Sequence, residues 1–344
     1  MLKKNLSFML ACITMFSAIA VTTPYSKTLQ IQKTVSAAKT YTISPNSAVY
    51  KGNYKNASAY NSTTKQYFLI RSYLEMLEKK GGGKLILKKG TYKISNVLYI
   101  PSNVTIELKD GVTFKNMKYG HFIEMDASNN VVVNNCTFTG YKSSKRHTSE
   151  AINLDTPDKK TKGFTHDWSK YDCTANKNVK ITNCTFSNLE KAIGTHQYSV
   201  KKYHTNITIS DCTIKNCVSG AIEMMNWKNI SLNNIKFINI GKNSKGKYTS
   251  FDKSNTTRAI LIRGGVSKIT VEGCSFKNIP RVIQCMPWKN QNTATKYPII
   301  YNKITKDEYE AIASKNKIIS GVDVPYIIVN SRYNDYGYPT KYYF

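Results

Sequence analysis

Groups able to move a proton or hold a carboxylate fall at the fifth position of a recurring five-residue pattern. Ala151-Ile-Asn-Leu-Asp155 returns as Ala192-Ile-Gly-Thr-His196, Ala221-Ile-Glu-Met-Met225, Ala259-Ile-Leu-Ile-Arg263 and Val282-Ile-Gln-Cys-Met286. If Ile152, Ile193, Ile222, Ile260 and Ile283 point inward, so do Leu154, Thr195, Met224, Ile262 and Cys285. Strand alternation then sends Asn153, Asp155, Gly194, His196, Glu223, Met225, Leu261 and Arg263 outward. Stacked at the inter-strand spacing of about 4.8 Å, Asp155 and His196 become neighbours. Glu223 lies one strand further and Arg263 one beyond that. Glu150 and His147 precede Asp155 and lean over the same face. A carboxylate beside an imidazole can donate or accept a proton, and a guanidinium grips a carboxylate in fixed geometry. Asp158, His166, Asp167 and Asp172 supply further pairs in the segment that follows. A solvated outer face carries such residues by chance. What singles out this register is that one of only five histidines falls beside Asp155.

These positions require stacked strands, and a second repeat supplies them. Val131-Val-Val-Asn-Asn-Cys-Thr-Phe138 recurs as Val179-Lys-Ile-Thr-Asn-Cys-Thr-Phe186, Ile207-Thr-Ile-Ser-Asp-Cys-Thr-Ile214, Ile230-Ser-Leu-Asn-Asn-Ile-Lys-Phe237 and Ile269-Thr-Val-Glu-Gly-Cys-Ser-Phe276. Each copy alternates apolar and polar residues, the period of a half-buried strand. Each has Asn, Asp or Gly before its Cys or Ile, where a sharp turn is cheapest. One copy cannot bury its own apolar face, whereas stacked copies form a continuous core. The chain is therefore expected to be all-β, a solenoid of parallel strands with at least two strands per coil. Residues 156–178 and 241–257 are longer gaps that read as loops on one side. Residues 64–79 have helical spacing, with Thr63 and Gln66 as a capping box and Gly81-Gly82-Gly83 as the stop. Such a helix would cover the open end of the first coil. The Tyr-rich residues 291–344 read as a C-terminal cap, with a capped helix at Thr305 and Glu308 and a last strand at Ile327-Ile-Val329.

Composition narrows the class. Lys3 and Lys4, the apolar Leu6–Val21 stretch and Ala18-Ile-Ala20 have the form of an export signal over residues 1–20. Residues 21–45 follow as a leader or linker, and the capped solenoid spans 46–290. The apolar run is short for a membrane span. Removing residues 1–20 lowers the net charge from +29 to +27, which predicts an anionic partner. No nucleic-acid motif is present, so a polymer of another kind is expected, at the cell surface or outside the cell. Of eight cysteines, Cys136, Cys184, Cys212 and Cys274 share one repeat position and are expected to stack as small buried groups. No Cys-x-x-Cys suggests a metal site.

With these motifs the chain resembles the secreted right-handed parallel β-helix proteins of the pectin-lyase-like superfamily, over roughly residues 80–290. Within it, the polygalacturonase-like family 28 glycoside hydrolases are the nearest resemblance. Asn153-Leu154-Asp155 approximates their Asn-Thr-Asp motif, Gly194-Thr195-His196 their Gly-His-Gly region, and Ile262-Arg263-Gly264 their Arg-Ile-Lys strand. Their paired aspartates have no counterpart. The resemblance implies a single-stranded right-handed β-helix acting on a polysaccharide, with an acidic, uronate-bearing polymer fitting the charge. In hydrolysis, Asp155 would protonate the leaving oxygen, and Glu150, Glu223 or Asp158 would activate water. Asn153, His147 and Arg263 would hold the sugar. Two other outcomes stand beside it. One is a lyase or epimerase with His196 as base and, if metal-dependent, Ca²⁺ on Glu150, Asp155 or Glu223. The other is a non-catalytic surface protein that binds the polymer. Hydrolysis itself calls for no cofactor. The sequence leaves the sugar, the linkage and the oligomeric state open.

Overall fold

A computed structural model describes residues 39–116, 122–126, 128–140, 150–155, 175–195, 203–249, 257–285, 305–329 and 341–343, all within one compact unit, Ala37–Phe344. Its strands wind through three sheets. Sheet A holds Thr40–Ile43, Gly83–Leu87, Val104–Leu108, Asn129–Asn134, Lys177–Thr182, His204–Ser210, Trp227–Asn233 and Ser267–Glu272. Sheet B holds Gly90–Ile94, Val112–Asn116, Thr137–Thr139, Thr185–Ser187, Thr213–Lys215, Lys236–Ile238, Ser275–Lys277 and Lys317–Ser320. Sheet C runs from Leu98–Tyr99 through Ile123–Asp126, Glu150–Asp155, Lys191–Gly194, Ile222–Met224, Arg258–Ile262 and Arg281–Cys285 to Val324–Val329. Neighbouring strands pair in parallel, except that Lys341–Tyr343 closes the last edge of sheet C antiparallel. This is the right-handed parallel β-helix, with three strands per coil where the repeats had guaranteed two.

The repeat residues explain the winding. Asn135, Asn183, Asp211 and Asn234 occupy the left-handed region between sheets A and B, at φ 53–57°, and Gly273 continues the series at 64°. These residue types tolerate that conformation best. A second Asn series, Asn188, Asn216, Asn239 and Asn278, turns the chain from sheet B to sheet C at φ 56–58°. Ahead of sheet A's core positions, Asn130, Asn178, Asn206 and Asn229 form a ladder of side-chain amide bonds of 2.7–3.0 Å, anchored on Asn103. Inside, the sheet B column Tyr92, Phe114, Phe138, Phe186, Ile214, Phe237 and Phe276 is fully buried. Phe138 stacks on Phe186 and Phe237 on Phe276, each with ring centroids 5.1 Å apart. Cys136, Cys184, Cys212 and Cys274 are buried free thiols, as the repeat required.

The ends depart from the expected boundaries. Thr40–Ile43, within the segment read as linker, is the first strand of sheet A and pairs with Gly83–Leu87. Helix α1 (Lys65–Lys79) buries Leu69, Ile70, Leu74 and Leu77. Its N-cap is Thr64, and its start lacks the expected Thr63–Gln66 box. Asn61 takes over: its Oδ1 accepts from the Thr63 hydroxyl at 2.7 Å, while Gln66 is buried. At the other end the coil continues past residue 290, because Lys317–Ser320 and Val324–Val329 extend sheets B and C. Helix α2 (Lys306–Ser314) stands where the next sheet A strand would lie. Its Thr305–Glu308 capping box forms as expected. Glu308 Oε1 also accepts the Ile269 amide at 2.9 Å, satisfying a backbone donor at the edge of sheet A.

Candidate functional site

The register of sheet C follows the pentad. Ile152 pairs with Ile193, Ile193 with Ile222, Ile222 with Ile260, and Ile260 with Ile283. Asn153 lies beside Gly194, and Glu223 beside Leu261. The outward register does not leave these side chains in solvent. Every residue of Glu150–Asp155 is buried, with Asn153 and Asp155 at 0% exposure, and Glu223 is at 8%. The charged side chains reach one another along the face instead of standing out into water.

Their partner is Lys191, a residue sequence reasoning passed over. Lys191 sits opposite Glu150 in the pairing, and its Nζ lies 3.2 Å from Glu150 Oε1 and 2.5 Å from Glu223 Oε2. Arg263 Nε, one coil on, lies 2.7 Å from Glu223 Oε1. The result is an alternating ladder, Glu150–Lys191–Glu223–Arg263, across four consecutive coils. Gly194 makes room for it: a Cβ there would stand 3.1 Å from Glu150 Oε2. Burial alone would raise the Glu223 carboxyl, but Lys191 and Arg263 outweigh it and hold it below its ordinary range. Burial likewise opposes the Lys191 cation, and Glu150 and Glu223 reverse that, raising it above the usual lysine range. Both groups are therefore ionised at neutral pH. Glu223 is unsuited to donate a proton and suited to fixing Arg263.

Asp155 ends its strand at a buried polar corner. Asn176 Nδ2 donates to the backbone oxygens of Asp155 at 3.1 Å and Met125 at 2.9 Å. Its Oδ1 accepts from the Ser128 amide at 2.7 Å. The Asn176 amide donates to His204 Nδ1 at 3.1 Å, which places the His204 proton on Nε2. His204 is fully buried, and that burial lowers it to about 3, so the ring is neutral. Trp227 packs edge-on against it, and Trp227 Nε1 donates to Thr195 Oγ1 at 2.7 Å. The signal for this corner is the position three residues before each copy of the second repeat, namely Ser128, Asn176, His204, Trp227 and Val266, all buried. Three polar residues on successive coils of an otherwise apolar column mark a buried hydrogen-bonded network.

Of the expected site residues, Glu150, Glu223 and Arg263 are brought together through Lys191. Asn153 lies beside Gly194, and Asp155 closes the same strand. His147 and His196 lie outside the described residues, as do Asp158, His166, Asp167 and Asp172, so the Asp155–His196 pairing is not described. Among the described residues, no group of three His, Cys, Asp or Glu is placed to hold a metal ion. Nor, among them, is any helix long and apolar enough to cross a membrane.

Compared with models of protein families and with curated proteins, the sequence matches none. Among solved structures it is similar to the Streptococcus pneumoniae surface protein and adhesin PfbA, with a TM-score of 0.47 and 14% identity over 77% of this chain and 84% of that one. It is similar to the A-module of the Azotobacter vinelandii mannuronan C-5 epimerase AlgE6, with a TM-score of 0.40 and 11% identity over 65% of this chain and 69% of that one. It is also similar to the iota-carrageenase of family GH82 from A. fortis, with a TM-score of 0.38 and 12% identity over 73% and 64% of the two chains. The winding of the strands through three sheets is itself that of a parallel β-helix.

Proposed function

We propose that this chain is an exported protein acting on a polysaccharide, and that the polymer is acidic, its uronate carboxylates lying along the outer face of sheet C. The observation that carries this is the run Glu150, Lys191, Glu223, Arg263 on four successive coils. A linear chain along that face meets a cation at every second coil, with Asp155 at the end of the first strand. Glycosidic hydrolysis is the proposed reaction. The Asp155 carboxyl passes its proton to the leaving oxygen as the bond to the anomeric carbon breaks, and a water assisted by Glu150 supplies the new bond. Arg263, held by Glu223, grips a substrate carboxylate. Asn153, His147 and His196 complete the set as sugar-binding and orienting groups. Export rests on the signal-like residues 1–20.

One observation favours a second reading, in which the protein binds the polymer without cleaving it. Glu223 and Lys191 satisfy each other's charge, so neither is tuned toward neutral pH as an acid or base commonly is. A panel of acidic and neutral polysaccharides, incubated with and without chelator, separates the outcomes. We expect new reducing ends from an acidic polymer, unaffected by chelator and lost in Asp155→Asn. An unsaturated, ultraviolet-absorbing product would assign elimination with His196 as base and, if chelator-sensitive, Ca²⁺. Co-sedimentation without either signal would assign binding only. Failure to associate with any acidic polymer would overturn the proposal.

A further inference from the structure

Sheet B presents a different outer face. None of its eight strands carries an acidic residue. Its outward positions are mostly hydroxyls and lysines, with Ile238 and the exposed Ile319 as the apolar exceptions. Thr91, Thr113, Thr137, Thr185 and Thr213 form one unbroken column over five coils. Lys215, Lys236, Lys277 and Lys317 then follow on four successive coils, alternating between two columns: Thr213 pairs with Lys236, Lys215 with Ile238, Ile238 with Lys277, and Ser275 with Lys317. All four are exposed. None has an ion-pair partner among the described residues, unlike Lys191 in sheet C or Lys84 in sheet A. Lys93 and Lys115 are adjacent at the opposite end of the face.

We propose that the outer face of sheet B is a second, non-catalytic binding surface for a linear acidic polysaccharide. The coil spacing of about 4.8 Å sets one ammonium per coil along the helix axis, matching a polymer that repeats one carboxylate per sugar. The threonine column offers donors and acceptors to hydroxyls and ring oxygens along the same line. A nucleic acid is a poorer occupant. Single strands are held by aromatic platforms, and every aromatic residue of sheet B's described inner column is buried inward. This surface is independent of the sheet C site, and a protein that cleaves nothing could still use it.

The test is done in the Asp155→Asn background, so that no probe is consumed. The probe is fluorescent polygalacturonate, titrated at several salt concentrations, with dextran as neutral control and duplex and single-stranded DNA as competitors. Lys215→Gln, Lys236→Gln, Lys277→Gln and Lys317→Gln are combined in one variant. A charge-matched control carries Lys177→Gln, Lys180→Gln, Lys228→Gln and Lys268→Gln on sheet A, where all four lysines are exposed. We expect roughly tenfold weaker polygalacturonate binding and a flatter salt dependence for the sheet B variant. The sheet A control should retain most of the affinity, and thermal melts of both should match the parent. A Lys215→Gln, Lys236→Gln double variant should show an intermediate loss. Equal losses in both quadruple variants would reduce the effect to net charge and overturn the proposal. No loss in the sheet B variant would overturn it too, as would DNA competing as well as unlabelled polygalacturonate at equal salt. A failed cleavage assay at sheet C leaves each of these results unchanged.

Discussion

Sheets B and C are wound from the same coils, so the coil that gives Thr185–Ser187 to one gives Lys191–Gly194 to the other. Their charges are used in opposite ways. On sheet C the charged residues of the Glu150–Lys191–Glu223–Arg263 ladder are largely buried, alternate in sign and touch: Lys191 alone contacts two carboxylates. On sheet B they share one sign, stand in solvent and, among the described residues, pair with nothing. Taking an ion out of water costs several kcal/mol, recovered only through close and well-aligned partners. Sheet C therefore ties its charged groups to the stability of the stack, whereas sheet B leaves its lysines free for an external anion. A solenoid can build a fixed site and an adhesive face on one backbone by changing what its outward positions carry.

The contrast predicts where the molecule is fragile. Lys191→Met should have the largest effect, because it leaves Glu150 and Glu223 side by side in a buried setting. Breaking such a pair costs about 3–5 kcal/mol, read as a lower denaturant midpoint with an unchanged slope. A cost below 1 kcal/mol would mean that the ladder does not hold the stack together.

Acid should come next. His204 has a folded-state value of about 3 against an ordinary 6.5. The unfolded chain therefore takes up the proton first, and the stability that the neutral ring provides is complete above pH 6.5. It is lost progressively as the pH falls toward 3, on the order of 3 kcal/mol by pH 4. Below about pH 4.5, protonation of Glu223 in the unfolded chain adds to the loss, since its folded carboxyl is held low. His204→Gln keeps an acceptor for Asn176 and removes the titration. Denaturation measured at pH 7 and pH 5 should then show a smaller difference than in the parent, and an undiminished difference would put the acid sensitivity elsewhere.

Smaller effects belong to the turns. Asn206 sits at φ 58° within the amide ladder, and Asn206→Ala should cost about 1–2 kcal/mol. Asn206→Gly should cost less, because glycine adopts that conformation freely. Smallest of all, each lysine-to-glutamine change on sheet B should move stability by no more than about 0.5 kcal/mol while weakening polyanion binding. The same substitution at Lys191 should instead cost several kcal/mol of stability, and comparing the two tests the division between the faces directly.

Much of this was readable from the sequence because the solenoid repeats its constraints. Asn135, Asn183, Asp211, Asn234 and Gly273 announced the turn between sheets A and B, and the isoleucines of the pentad fixed the register of sheet C. The third strand of each coil was hidden because the eight-residue repeat spans two short strands, with the turn inside it. Lys191 escaped notice because it lies two residues ahead of Ile193, before the pentad begins, and its two carboxylates come from coils 41 and 32 residues away in the chain. His204 was missed because the repeat was read from its first apolar residue, whereas the buried polar column begins three positions earlier. The cap helix at Lys65 was legible from its apolar spacing. Its cap was not, because Asn61 lies outside the helix and closes the turn by local side-chain bonds.

On the proposed reading, the polymer is acted on at the charged face of sheet C. Reducing-end release from acidic polysaccharides, compared between the parent protein, Asp155→Asn and Arg263→Ala, addresses it most directly. We expect release by the parent, none by Asp155→Asn although it still binds the polymer, and from Arg263→Ala a raised KM that is specific to carboxylate-bearing substrates. Full turnover by both variants would contradict that reading.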